Sequence, residues 1–248
     1  MHYLQSLSLL VLASVPMSTA IIPPIELCPS CPKPIHCSNE GWDWAYYSNP
    51  IHNDGEDYPG FRADVYKTQI PVYKTQIPVY VGTTPWIGGH LGYTDAGLDT
   101  TIFYGSSPQL NSTYFALNHH AYLYACEPGT YQFDVSLVDD VVLAWVGDAA
   151  YSGWTDANAD AKAVWTFLGG AGQHYGSASF RRDLDGGRFY PMRFVFADAQ
   201  GGGNFNLTIT SPSGVIVHQS GRDSDWVVRT SCDLGISAPR FPDFGKET

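Results

Sequence analysis

The sequence predicts an all-β chain, an antiparallel β-sandwich or barrel with disulfide-stapled termini. Three observations predict it. Short runs rich in β-branched and aromatic residues recur between turn signals, at 100–104, 121–124, 130–138, 141–146, 163–167, 190–196, 205–210, 215–219 and 225–229. Glycine (25), proline (17) and tyrosine (16) are plentiful, while charged residues make up only 15% of the 248, which suits strands and turns better than helices. No segment sustains the 3.6-residue apolar period of a helix. A hydrophobic content of 44% can fill a real core, and one domain over residues 37–235 is the simplest partition.

From the start of the chain, residues 1–20 read as a secretory signal peptide. An apolar run from Leu7 to Val15 leads to the small residues Ser18, Thr19 and Ala20, although the usual Lys or Arg of the first segment is missing. No later apolar run is long enough to span a bilayer. The net charge of −11 argues against a nucleic-acid partner and against an anionic membrane surface. The expectation is a secreted protein, extracellular or in a cell wall, without membrane insertion. Residues 21–36 form a Pro/Cys-rich lead-in, and 236–248 read as a polar C-terminal tail without a lipid-anchor signal.

Five cysteines, Cys28, Cys31, Cys37, Cys126 and Cys232, suit an oxidising compartment. A natural pairing ties Cys37 or a neighbour to Cys232. The odd count leaves one thiol free or joined to another molecule. Cys28-Pro-Ser-Cys31 has redox or zinc spacing, but without a second such pair a disulfide framework is the better reading. Asn111 and Asn206 each open a glycosylation acceptor triplet.

Several motifs carry less. YKTQIPV at 66–72 repeats perfectly at 73–79, and its prolines, Pro71 and Pro78, confine it to an edge or loop. Asp156-Ala-Asn158-Ala-Asp160 opens like a calcium loop but lacks the glycine at position six and the closing glutamate, and is read as a solvated loop. His119 and His120 are read as surface histidines. Asp183-Leu-Asp185-Gly186-Gly187 is read as a turn.

The chemistry concentrates at 135–147, VSLVDDVVLAWVG. Strand-like apolar residues flank two adjacent carboxylates, Asp139 and Asp140. Burying unpaired carboxylates is costly, and neighbours repel as well. Either the pair is a solvated turn or a hard divalent cation, most naturally calcium, compensates it. A second stretch, 190–207, runs from a strand into a glycine-rich loop that supplies Asp198 and the carbonyls of Gln200 and Gly202, with Gly201 letting another group approach.

These stretches resemble the fungal GLEYA adhesin domain family, related to the lectin domains of flocculins and epithelial adhesins. The naming motif has its counterpart in Gly41-Trp42-Asp43-Trp44-Ala45, followed by Tyr46-Tyr47. GTYQFDVSLVDDVVLAWVG resembles the family's calcium strand, and YPMRFVFADAQGGGNF its second ligand loop. The resemblance implies a β-sandwich or barrel of the protective-antigen-like type. It also implies a cis peptide between Asp139 and Asp140 that turns both side chains toward one calcium ion, which regular strand geometry would not do. Asp198 stands where flocculins usually carry Asn. Gly202 stands where they carry a bulky aromatic, so Trp154 is a candidate replacement for stacking on sugar.

The expected function is therefore a secreted, calcium-dependent, non-enzymatic domain binding terminal sugars of cell-surface glycans. The metal set is Asp139, Asp140, Asp198, Gln200 and Gly202. The ligand set adds Trp154 and Gly201. The alternatives are a secreted polysaccharide-active enzyme, for which no carboxylate pair is singled out by spacing, and a structural wall protein with a stabilising calcium.

Overall fold

A computed structural model describes residues 31–51, 61, 63, 77–91, 100–167, 173–199 and 202–247. The expected signal peptide, Cys28, Gln200, Gly201 and most of the YKTQIPV repeat (66–76) lie outside these residues.

In chain order the strands are β1 (Trp42–Ser48), β2 (Tyr80–Thr84), β3 (Gly89–Leu91), β4 (Thr100–Thr101), β5 (Leu110–Asn111), β6 (Phe115–Ala125), β7 (Gly129–Asp139) and β8 (Val141–Val146). A four-residue helix, α1 (Asp148–Tyr151), follows. Then come β9 (Ala161–Val164), β10 (Thr166–Phe167), β11 (Gln173–His174), β12 (Gly176–Leu184), β13 (Arg188–Asp198), β14 (Gly203–Thr210), β15 (Ile216–Gln219) and β16 (Val227–Val228).

Two antiparallel sheets dominate. The first runs β2-β1-β6-β13-β8-β9, with β16 beside β6; the second runs β12-β7-β14-β15, with β3 beside β14. Burial explains their compositions. In β14 buried and half-buried residues alternate strictly, as in a sheet with one solvated face. In β8, VVLAWV, every residue is buried because both faces are covered. The inner face packs Trp42, Trp44, Leu117, Phe194 and Phe196 of the first sheet against Phe133, Phe205, Leu207 and Ile209 of the second. On the outer face of the first sheet, Ala45, Tyr47, Trp145 and Val195 lie under Ala150 and Trp154.

Two disulfides are present, Cys37–Cys232 and Cys31–Cys126, with Cα separations of 5.8 and 4.7 Å. The first is the tie between the ends that the sequence suggests. Asn111 is exposed in β5, and Asn206 is half-buried on the solvated face of β14.

Three expectations need correction. His119 and His120 are buried, because β6 is a central strand covered on both faces. His119 points inward to the Phe194 carbonyl (3.1 Å), while His120 points outward between the rings of Phe241 and Phe244. The 156–160 segment is not simply solvated. Asp156 accepts the Ala63 N–H, Asn158 accepts the Trp145 indole N–H, and Asp160 pairs with Arg182. Finally, much of the polar tail is part of the fold. Ala238, Phe241 and Glu247 are buried, and Glu247 meets the buried Arg193 guanidinium at 3.1 Å.

Candidate functional site

The stretch 135–147 is two strands in two different sheets. Strand β7 ends at Asp139 in the second sheet, and β8 begins at Val141 in the first. The peptide joining Asp139 to Asp140, where the chain crosses between sheets, is cis. A second crossing runs from β13, ending at Asp198 in the first sheet, to β14, starting at Gly203 in the second.

Strand pairing brings the crossings together. Ala197 pairs with Val141, so Asp198 stands one residue further, level with Asp140. Asn204 pairs with Asp139 in the second sheet. The pair of acids and the third acid thus share one end of the sandwich. Gly203 makes room there, since a Cβ on it would meet the Phe196 ring at 2.7 Å.

The charge at this end is uncompensated. Asp198 is 1% exposed, and neither carboxylate oxygen has a hydrogen-bond partner. Burial, then the charges of Asp140 and Asp139, push its carboxyl up to about 9. Asp139 is half-buried, and burial followed by the neighbouring Asp140 pushes it up to about 6. Asp140 is raised chiefly by burial, opposed by the Ala199 N–H that it accepts at 2.6 Å. Among the described residues, no Lys or Arg acts on any of the three.

This donor set fits a hard divalent cation, which takes six to eight oxygen ligands and neutralises clustered carboxylates. Among the described residues the three acids do not all lie within 4.8 Å of one another, so they form a loosely gathered set that an ion would draw together. Gly202 is half-buried beside Gly203 at the start of β14. The tighter group of Cys31, Cys126 and Glu127 offers no thiolate, because both sulfurs are in a disulfide.

The sequence misplaced one residue and missed three. Trp154 is fully buried against Trp145, with the Arg193 guanidinium 4.8 Å from its ring, so it has no face to offer a sugar. Asn204, opposite Asp139, adds a side-chain amide at the site; its place just after three glycines is the signal that could have found it. The buried Asn49 donates to the Asp198 carbonyl at 3.2 Å. Trp165, half-buried, donates its backbone N–H to the Asp140 carbonyl at 2.6 Å. No local signal marks the last two.

The family model described as the GLEYA domain matches residues 115–211, which include all three acids and Asn204. Putative cell agglutination protein pfl4 of Schizosaccharomyces pombe is 38% identical over 86 residues, covering 34% of this chain and 14% of the relative. Putative cell agglutination protein pfl8 of the same yeast is 35% identical over 113 residues, covering 45% of this chain and 26% of the relative. The match therefore spans about a quarter or less of either relative's length.

Among solved structures, the A domain of epithelial adhesin 6 from Candida glabrata, in complex with Galβ1-3GlcNAc, superposes with a TM-score of 0.58. It is 19% identical, covering 82% of this chain and 92% of that one. The A domain of epithelial adhesin 9 from the same yeast gives a TM-score of 0.55 at 14% identity, covering 78% and 95%. These likenesses show that the matched span and the strands around it share the adhesin A-domain fold.

Proposed function

We propose that the chain is a secreted, calcium-dependent carbohydrate-binding module of the adhesin type, binding terminal sugars of cell-surface glycans. The observation that carries this reading is the meeting of three buried or half-buried carboxylates at the two sheet crossings, with no cationic side chain among the described residues acting on them. Asp139 and Asp140 would hold the ion, with Asp198 completing its charge neutralisation and Asn204 and the Gly202 carbonyl offering neutral oxygens. A bound calcium ion supplies open coordination positions for sugar hydroxyls. The chain's own groups fix the acids: the Ala199 N–H holds one Asp140 oxygen, and Asn49 and Trp165 anchor the adjoining carbonyls.

The GLEYA match, the agglutination proteins among the relatives and the glycan complexes named for the adhesin neighbours support this reading. Two disulfides suit an extracellular setting. Calorimetry with calcium, followed by glycan-array binding with and without chelator, tests it. Asp139→Ala should lose calcium binding, and array binding should vanish on chelation. Unchanged calcium affinity in the variant would refute the ligand assignment. Calcium binding without any glycan would leave the ion a stabiliser only, and reducing-end release from a wall polysaccharide would favour an enzyme.

A further inference from the structure

A second pocket lies outside the matched GLEYA span for most of its wall. It is a cavity of about 900 Å³ on the outer face of the first sheet, between β1, β2 and the C-terminal segment. Asp43, on its floor, pairs with His120, whereas Ser48 pairs with Phe115, the residue level with Asp198. Five residues of strand, roughly 17 Å, therefore separate it from the carboxylate end.

Its chemistry is the reverse of that end. Arg229 is braced by the carbonyls of Ser38 (2.8 Å) and Glu40 (3.4 Å), with its remaining terminal nitrogen 3.7 Å from Asp43. Arg240 also lines the cavity, and its exposed guanidinium has no hydrogen-bond or ion-pair partner among the described residues. In a chain of net charge −11, two arginines face one cavity; of the two carboxylates lining it, Asp43 lies on the floor and Asp243 is paired with Lys246 at 2.9 Å, which leaves the site locally cationic. Deep in the wall, His120 is only 4% exposed, and its Nδ1 has no hydrogen-bond partner. Asp43 lies 3.9 Å from that nitrogen, too far for a direct hydrogen bond. Burial keeps that nitrogen out of a ligand's reach, so the half-buried Asp43 is the floor group that a hydroxyl can meet.

We propose that this cavity binds an acidic sugar unit, its carboxylate on Arg240 and Arg229 and one ring hydroxyl on Asp43. Guanidinium groups match a planar carboxylate in geometry and charge. A cavity of this size accommodates a monosaccharide with its linkage. The site needs no metal and is independent of the calcium reading.

The test is calorimetry of the whole chain with methyl β-glucuronide in excess chelator. Binding should persist in chelator and in Asp139→Ala. It should weaken roughly tenfold or more in Arg240→Gln, the loss of one charge-assisted contact, and be absent for methyl β-glucoside. Arg240 is exposed, and its fold contact is a backbone carbonyl accepting the Tyr151 hydroxyl, so the variant keeps its structure. Loss of binding with chelator or in Asp139→Ala would move the acidic sugar to the carboxylate end and overturn the proposal. So would inorganic phosphate competing as well as the glucuronide, which would mean charge is read without the hydroxyl, or no binding at millimolar ligand.

Discussion

Two clusters of buried charge involve the first sheet, one on its outer face and one where it meets the second, and the chain treats them in opposite ways. On the outer face, the fully buried Arg193 donates to the Ala150 carbonyl and the Asn118 amide oxygen, and pairs with the fully buried Glu247. At the strand ends, Asp139, Asp140 and Asp198 share one end of the sandwich, and among the described residues no positive side chain acts on them. In the first cluster the guanidinium charge has its countercharge within the chain. The second is left open, and it is the one that sits where the chain twice changes sheets. An uncompensated buried charge among compensated ones is what singles out the proposed binding site.

The sharpest way to break the comparison is Glu247→Ala. Arg193 would then be buried without its countercharge, which costs about 3–5 kcal/mol. Thermal denaturation should show a fall in Tm of roughly 10 °C for a chain of this size. A loss below about 1 kcal/mol would mean that the closed cluster is not closed by this pair.

Asp198→Asn should have the opposite sign. In chelator the substitution removes a buried carboxyl with unpartnered oxygens, and the variant should be more stable than the parent by about 1–3 kcal/mol. Its calcium-induced rise in Tm should shrink at the same time. A destabilised variant in chelator would show that Asp198 is satisfied without an ion.

The smallest effect is a pH profile. Asp198 and Asp139 have folded-state values of about 9 and about 6, above the roughly 3.9 of an unfolded aspartate. Their contribution to stability is complete below about pH 4 and is lost as pH rises, through about 6 for Asp139 and about 9 for Asp198. His119 and His218, buried and lowered to about 3, act the other way and cost stability as pH falls from about 6.5 toward 3. In chelator, Tm should therefore decline on both sides of mildly acidic pH. The gap between calcium-loaded and chelated protein should widen as pH rises, and a gap independent of pH would contradict the carboxylate assignment.

How much of this the sequence showed follows from how local each signal is. Strand β8 is legible to the residue, because six apolar residues are bounded by Asp140 and Gly147. Residues 100–104 shrink to a two-residue strand because Tyr104 takes a positive φ of 48° ahead of Gly105. The acidic pair is legible because adjacent aspartates break an apolar run. That they mark a passage between sheets is not, since pairing partners such as Val141 and Ala197 lie far apart in the chain. Trp154 sits among polar loop residues and looks exposed in sequence, but tertiary packing buries it under Arg193. Glu247 and Arg193 are 54 residues apart, and no local pattern announces their pairing.

Both disulfides gather at one end of the sandwich. Cys126 follows β6 directly, and Cys37 lies ahead of β1 on the same side, while Phe115 at the other end of β6 is level with Asp198. Tension applied to either flanking segment would reach these covalent bonds before it could peel β1 or β16 from the sheet. The far end, roughly 34 Å along β6, would keep its shape under such a load.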